Sequence, residues 1–198
     1  LELIGRDKQA DIRDQTVRHL VERFEIDARQ AFRVQQTALS LFDQARSDWD
    51  LKDHHRNLLK WAASLHEAGL FLTYSGYHKH SAYLLTHMEM PGFSRQDQRC
   101  LAAIVRGHRG KPSRDKIAEF APMWDRKLLH LVVLLRLSTK IHRRRSPKPP
   151  PSVCLETKGR TISLSFPGNW IDSRPLSLAD LEEDAAQLHN LSYTLKIR

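Results

Sequence analysis

Between Trp61 and Lys111 lie a His66-Glu67 pair, a His78-Lys79-His80 triplet and a Gly107-His108-Arg109-Gly110 turn. Imidazoles and carboxylates brought together from several helices can hold a transition metal. A guanidinium beside glycine-flanked backbone N–H groups can instead grip phosphate oxygens. Spacing separates the two chemistries. The residue four after His66 is Leu70, so the HExxH zinc motif is absent. A two-metal phosphohydrolase needs a further carboxylate near the end of the central helix. Residues 136–140 read Arg-Leu-Ser-Thr-Lys there, and their cations oppose a divalent ion. Thr73 stands where a nucleophile elbow around Ser75 needs glycine, and no GxxxxGK[ST] loop occurs. The pattern therefore favours His66 and His80 as histidines at the edge of the core, hydrogen-bonded to backbone or carboxylate. Arg106, Arg109 and Lys111, with Arg143, Arg144 and Arg145, are the expected phosphate contacts.

The charge distribution supports this choice. The chain carries a net charge of +9, and residues 106–148 hold thirteen Lys and Arg against Asp115, Glu119 and Asp125. The rest is close to neutral. A local positive field concentrates polyanions around it. The helix dipole after the central helix accounts for one or two of these charges, not thirteen. Nucleic acid is disfavoured as the partner because stacking platforms and glycine-rich binding motifs are lacking. Two well-separated cysteines, Cys100 and Cys154, indicate buried free thiols and a reducing cytoplasm. The longest apolar run, Leu128 to Leu137, is interrupted by His130 and Arg136 and is too short to span a membrane. The first residue is Leu rather than Met, which leads us to expect a piece of a longer polypeptide.

Helical periodicity governs residues 1–145 and must position these groups. Helices are predicted over 7–24, from Asp27 as N-cap to about 46, and from 51 or 52 to Gly69 as C-cap. Others follow over 80–88, from a Ser94/Asp97 capping box to Gly107, and from Pro122 through Trp124 to Leu135, the last being apolar on most sides and so central. Residues 146–152 are rich in proline and read as a linker. Beyond them the period switches to two: a hairpin about Lys158-Gly159, a helix capped by Ser177 with Leu176 stapled onto Leu181, and a last strand bearing Tyr193, Leu195 and Ile197. The fold class expected is mainly α with a small α+β appendage, a helical domain over 1–145 followed by a β-β-α-β unit over 153–198.

The phrases WAASLHEAGL, SGYHKHSAYLLTHMEMPGFSRQDQ and IVRGHRGK resemble the C-terminal half of the exopolyphosphatase and guanosine pentaphosphate phosphohydrolase family. The resemblance runs from Asp11 to the end of the chain. It implies an HD-like helical bundle followed by a small α/β domain. It also implies that phosphoryl hydrolysis, with magnesium, belongs to an actin-like N-terminal half that is not in this sequence. Matched to an active HD frame, the metal-ligand positions fall on Gln30, His66, Glu67 and Thr139, with His80 and His108 matching further histidines and Arg109 replacing the partner of His108. These are degenerate positions: no catalytic residue, cofactor or metal is assigned to this chain. What the resemblance implies is an accessory domain that binds inorganic polyphosphate or guanosine pentaphosphate on a basic groove and supports a homodimer. A metal-dependent HD-type nucleotide phosphohydrolase is the alternative.

Overall fold

A computed structural model describes residues 2–120, 126–146 and 152–198, with side chains from residue 12 onward. Pro122, Trp124 and the proline run Pro147 to Pro151 of the expected linker lie outside the described residues. The helices are α1 (Glu2–Arg23), α2 (Ala28–Ala45), α3 (Asp53–Leu65), α4 (Tyr77–His87), α5 (Arg95–Gly107), α6 (Arg114–Ala118) and α7 (Arg126–Ile141), then α8 (Pro175–Leu188). The strands are β1 (Cys154–Lys158), β2 (Thr161–Ser165) and β3 (Thr194–Ile197). The architecture is mainly α with a small α/β appendage, as the change of periodicity predicts.

Helix α7 is the centre. Every residue from Leu128 to Ser138 is buried, and α2, α3, α5 and α8 all pack on it. Helix α2 turns Val34, Ala38, Leu41 and Phe42 into the same core. Two predicted caps form: Asp27 accepts the Gln30 N–H at 3.0 Å, and Ser94 and Asp97 exchange reciprocal bonds at 3.1 Å. Such caps satisfy amide donors that the first helical turn leaves orphaned.

Gly69 does not cap α3. Helix α3 stops at Leu65 and the chain passes through a 3-10 turn, Ala68–Phe71, in which Gly69 is buried. A Cβ at Gly69 would stand 2.1 Å from the Tyr77 carbonyl oxygen and 2.6 Å from the Ser81 nitrogen. The glycine is there for close approach of α4, which begins a turn earlier than periodicity predicts. Ser81 fastens that contact, accepting the Gly69 N–H at 2.7 Å and donating to the His66 carbonyl at 2.9 Å.

In the appendage, β2 is central, antiparallel to β1 with Leu155 opposite Leu164 and parallel to β3 with Ile162 opposite Leu195. Helix α8 starts at Pro175, before Ser177, which is buried and makes no cap; Leu176 is exposed, so the staple onto Leu181 is not formed. Proline at the first helical position sets the start instead, since its fixed φ suits a helix and its missing N–H costs nothing there. The appendage is bound into the helical core through specific polar contacts. Gln44 of α2 donates to the Val153 carbonyl at 3.1 Å and accepts from Leu155 N–H at 2.7 Å. The Trp49 indole donates to the Gly159 carbonyl at 2.8 Å, and the Tyr193 hydroxyl is hydrogen-bonded to His130 Nδ1 at 2.7 Å. Cys100 is half-buried and Cys154 exposed, so the expectation of two buried thiols is corrected: at Cys154 the strand alternation turns the side chain outward.

Candidate functional site

His66 and His108 occupy equivalent places, each the first residue after a helix, α3 and α5. The last carbonyls of a helix have no partner within it. Each imidazole supplies one, donating Nδ1–H to the carbonyl three residues back: His66 to Ala63 at 2.7 Å and His108 to Val105 at 2.6 Å. The tautomer is thereby fixed and both Nε2 atoms are acceptors. That of His108 takes the Tyr77 hydroxyl at 3.3 Å, and that of His66 lies 3.9 Å from Glu67 Oε1. Burial pushes both imidazoles below their usual range, His108 furthest, with His66 and His78 beside it adding repulsion. They are neutral groups at physiological pH.

A cavity of about 410 Å³ opens between these helix ends, α7 and α8. Gln30, His66, Glu67 and Thr139 all line it, so four positions scattered across the sequence converge on one site. Their polar groups are already engaged, however. Gln30 donates to the His142 carbonyl at 2.9 Å and accepts from Arg33 at 2.8 Å; Thr139 donates to the Arg136 carbonyl at 2.8 Å. Glu67, buried, accepts Arg145 Nη2 at 2.5 Å. The same guanidinium reaches Asp27 at 3.0 Å through Nη1. Arg145 adopts φ of 51°, a left-handed conformation that side chains rarely take.

The donor set does not suit a divalent metal. Protein zinc sites take three or four His, Cys or carboxylate ligands. Of the four converging positions Glu67 keeps one buried oxygen, Oε2, without a hydrogen-bond partner, and among the described residues no group of three His, Cys, Asp or Glu could hold an ion. A guanidinium stands on the carboxylate instead.

Cations make up much of the remaining wall: Arg109, Arg136, Lys140 and Arg143, with Glu183 and Gln187 from α8. Arg136 is fully buried and bound to Asp184 at 2.7 Å, while Arg143 pairs with Asp180. Lys140 lies 3.7 Å from Asp184, and Arg109 stacks over Tyr77 and Tyr74 at 5.0 and 5.6 Å. Oxyanions presented here would meet Lys140, Arg109 and the unshared N–H groups of Arg143 and Arg145.

Residues 12–190 match the family described as Ppx/GppA phosphatase, domain III. The chain belongs to the Ppx/GppA phosphatase family. Relatives agree along its length. The guanosine-5'-triphosphate,3'-diphosphate pyrophosphatase of Pseudoalteromonas translucida is 32% identical over 189 residues, covering 94% of this chain and 37% of that protein. The proteins of the same name from Aeromonas hydrophila and Vibrio campbellii are 28% and 29% identical, with 98% and 99% of this chain covered. This Ppx/GppA chain thus spans about two fifths of the length of the curated relatives it matches.

Of the predicted phosphate contacts, Arg109, Arg143 and Arg145 line the cavity. Arg106 is half-buried on α5 toward Glu119, and the exposed Lys111 and Arg144 are not among the lining residues. Of the degenerate positions, His66, Glu67 and His108 meet at the cavity, whereas His80 sits half-buried on α4 beside Gly69. His78 is the nearer histidine, its ring 6.2 Å from that of His108. Sequence reasoning missed Tyr74, Tyr77 and the α8 wall. Asp184 was the available signal: a carboxylate between Leu181 and Leu188 on an apolar stripe requires a buried cation, and Arg136 is the one charge within the apolar run of α7.

Proposed function

We propose that this chain is a noncatalytic accessory domain that binds phosphate chains, inorganic polyphosphate or the phosphate arms of guanosine pentaphosphate. Phosphohydrolysis, with its magnesium, resides in the rest of the protein. The reading rests on the Arg145–Glu67 contact at 2.5 Å: a side-chain cation occupies the carboxylate that a metal would need, in a cavity otherwise walled by Arg109, Lys140 and Arg143. An HD-like frame emptied of metal ligands and refilled with guanidinium accounts for that arrangement. Arginine forks suit phosphate oxygens bidentately. A homodimer in a reducing cytoplasm belongs to the same proposal, and sedimentation of the purified chain reads the dimer.

Titration calorimetry with inorganic polyphosphate over a salt series tests the binding. Four cationic contacts, at about −0.7 in log affinity per log salt for each, give a slope of roughly −3. Affinity should therefore fall about fifty-fold between 50 and 200 mM salt. A flat salt response sinks the reading, and bound transition metal accompanied by turnover would replace it with a metal-dependent phosphohydrolase.

A further inference from the structure

We infer that the outer edge of strand β3, with the basic side chains around it, docks an acidic extended segment of a partner protein by β-strand addition. The inference is independent of the phosphate-binding reading, since none of the residues it uses lines the cavity.

Two independent observations lead there. The first is the direction of the backbone. Thr194 N–H donates to the Arg160 carbonyl at 3.0 Å and Arg198 N–H to the Leu164 carbonyl at 2.8 Å, while the Arg198 carbonyl accepts the Phe166 N–H at 3.2 Å. Backbone groups alternate in direction along a strand, so the N–H and C=O groups of Leu195 and Ile197 point away from β2. Among the described residues they have no backbone partner. The opposite edge of the sheet is closed, because Gln44 takes both the Val153 carbonyl and the Leu155 N–H of β1. An edge with unpaired donors and acceptors is a template for another strand.

The second is charge. Lys196 and Arg198 are exposed on β3 itself. Arg114 donates to the Leu191 carbonyl and the Ser192 hydroxyl, at 3.0 and 2.8 Å, where the chain enters the strand. Arg160 lies over the Tyr193 ring at 6.0 Å, and the charge of Arg126 also reaches that residue. Among the described residues none of these five cations is in an ion pair. Unpaired cations around so short an edge attract an acidic partner. They also select among occupants. A second copy pairing through the same edge would set Lys196 and Arg198 against their own kind, and such repulsion is how edge lysines keep like strands apart. A phosphate chain would answer the cations but bring only acceptors to the outward carbonyls of Leu195 and Ile197. A peptide backbone supplies donors and acceptors in alternation. Its side chains alternate as well, acidic beside Lys196 and Arg198 and apolar beside the half-buried Ile197.

The test is fluorescence anisotropy of the 198-residue chain with a labelled peptide of about six residues, the usual length of a strand, in which Glu and Val alternate. A peptide of Lys and Val in the same pattern is the control. The acidic peptide should bind and the basic one should bind at least about tenfold more weakly, since each cross-strand charge pair is worth about 1.4- to 5-fold and reversal counts twice. Lys196→Glu combined with Arg198→Glu should weaken the acidic peptide by a similar factor. Ile197→Pro should also weaken it about tenfold, by deleting one outward donor. Proline is tolerated on an edge strand where its nitrogen faces outward, and a thermal melt verifies the fold of each variant. An acidic peptide that does not bind, a basic one that binds as tightly, or an Ile197→Pro variant with unchanged affinity overturns the inference. Displacement of the peptide by a short DNA duplex at equal charge concentration overturns it too, because the patch would then be a general polyanion surface.

Discussion

Replacing Arg136 with methionine tests how the floor of the cavity is held. Both Arg136 and Asp184 have fully buried side chains, and Nε and Nη2 of the arginine lie 2.8 and 2.7 Å from Asp184 Oδ1. Nη1 donates to the Gly107 carbonyl at 3.1 Å, and Nη2 also donates to Gln187. One side chain thus joins α7 to α8 and to the end of α5. Removing one member of a buried ion pair strands the other charge, at a cost of about 3–5 kcal/mol. Lys140, 3.7 Å from Asp184, softens this, so the lower end applies. For a chain of this size about 3 kcal/mol lowers Tm by roughly 6–12 °C. Urea unfolding measures the loss, as a shift of midpoint at constant slope. Arg136→Met with Asp184→Leu should recover most of it, because a well-packed apolar pair in place of a buried ion pair is often neutral. A single variant that loses less than about 1 kcal/mol, or a double variant as unstable as the two singles combined, refutes the reasoning.

The Gly69→Ala variant forces a methyl group against two backbone atoms of α4 and should cost about 3 kcal/mol, the upper part of the overpacking range. Gly159→Ala, with open space around its Cβ but φ of 60°, should cost only about 1 kcal/mol; equal losses in thermal unfolding would discount the close-approach explanation. Acid should destabilise the fold through His142 and His78. Burial pushes each down to about 4, with the positive charge of Arg33 acting on His142 and of Arg106 and Arg109 on His78. The unfolded chain takes up these protons near pH 6.5. Between 6.5 and 4 it therefore binds more protons than the folded one, and stability falls as pH falls through that window, by up to about 3 kcal/mol for each histidine. Urea midpoints that do not change between pH 7 and 4.5 would contradict this.

Helix positions, caps and the switch to strand periodicity were legible because each depends on neighbours in sequence. Asp27 and the Ser94/Asp97 pair form the predicted caps, and Gly159 lies at the predicted hairpin turn. Gly69 was misread since a glycine after a helix has two uses, a left-handed cap or room for another backbone, and only the position of α4 decides between them. The start of α8 was misread for a related reason: a Ser/Asp spacing resembles a cap wherever it occurs, and Pro175 set the boundary first. At the site, the grouping of Gln30, His66, Glu67, His108 and Thr139 came from the family resemblance, which also placed His80 there, and His80 is not among the cavity-lining residues. The Arg145 contact did not come from it, because its guanidinium reaches Glu67 and Asp27 from positions 78 and 118 residues away in sequence.

The contacts of α2 with the first strand also bear on the order of events during synthesis. Gln44 and Trp49 bond to groups 109 to 111 residues further along the chain. At ribosomal rates of about 5–20 residues per second, those partners are made some 5–20 seconds after the helix that awaits them. A helical turn and a hairpin each form within microseconds. The centre of the bundle, α7, ends at Ile141 and β1 begins at Cys154, so the core of α2 and the partners of Gln44 are completed within about a few seconds of each other. The Trp49 indole, stacked on His130 of α7 at 4.0 Å, is therefore covered by α7 and the hairpin in close succession, and the appendage closes the same core that α7 fills.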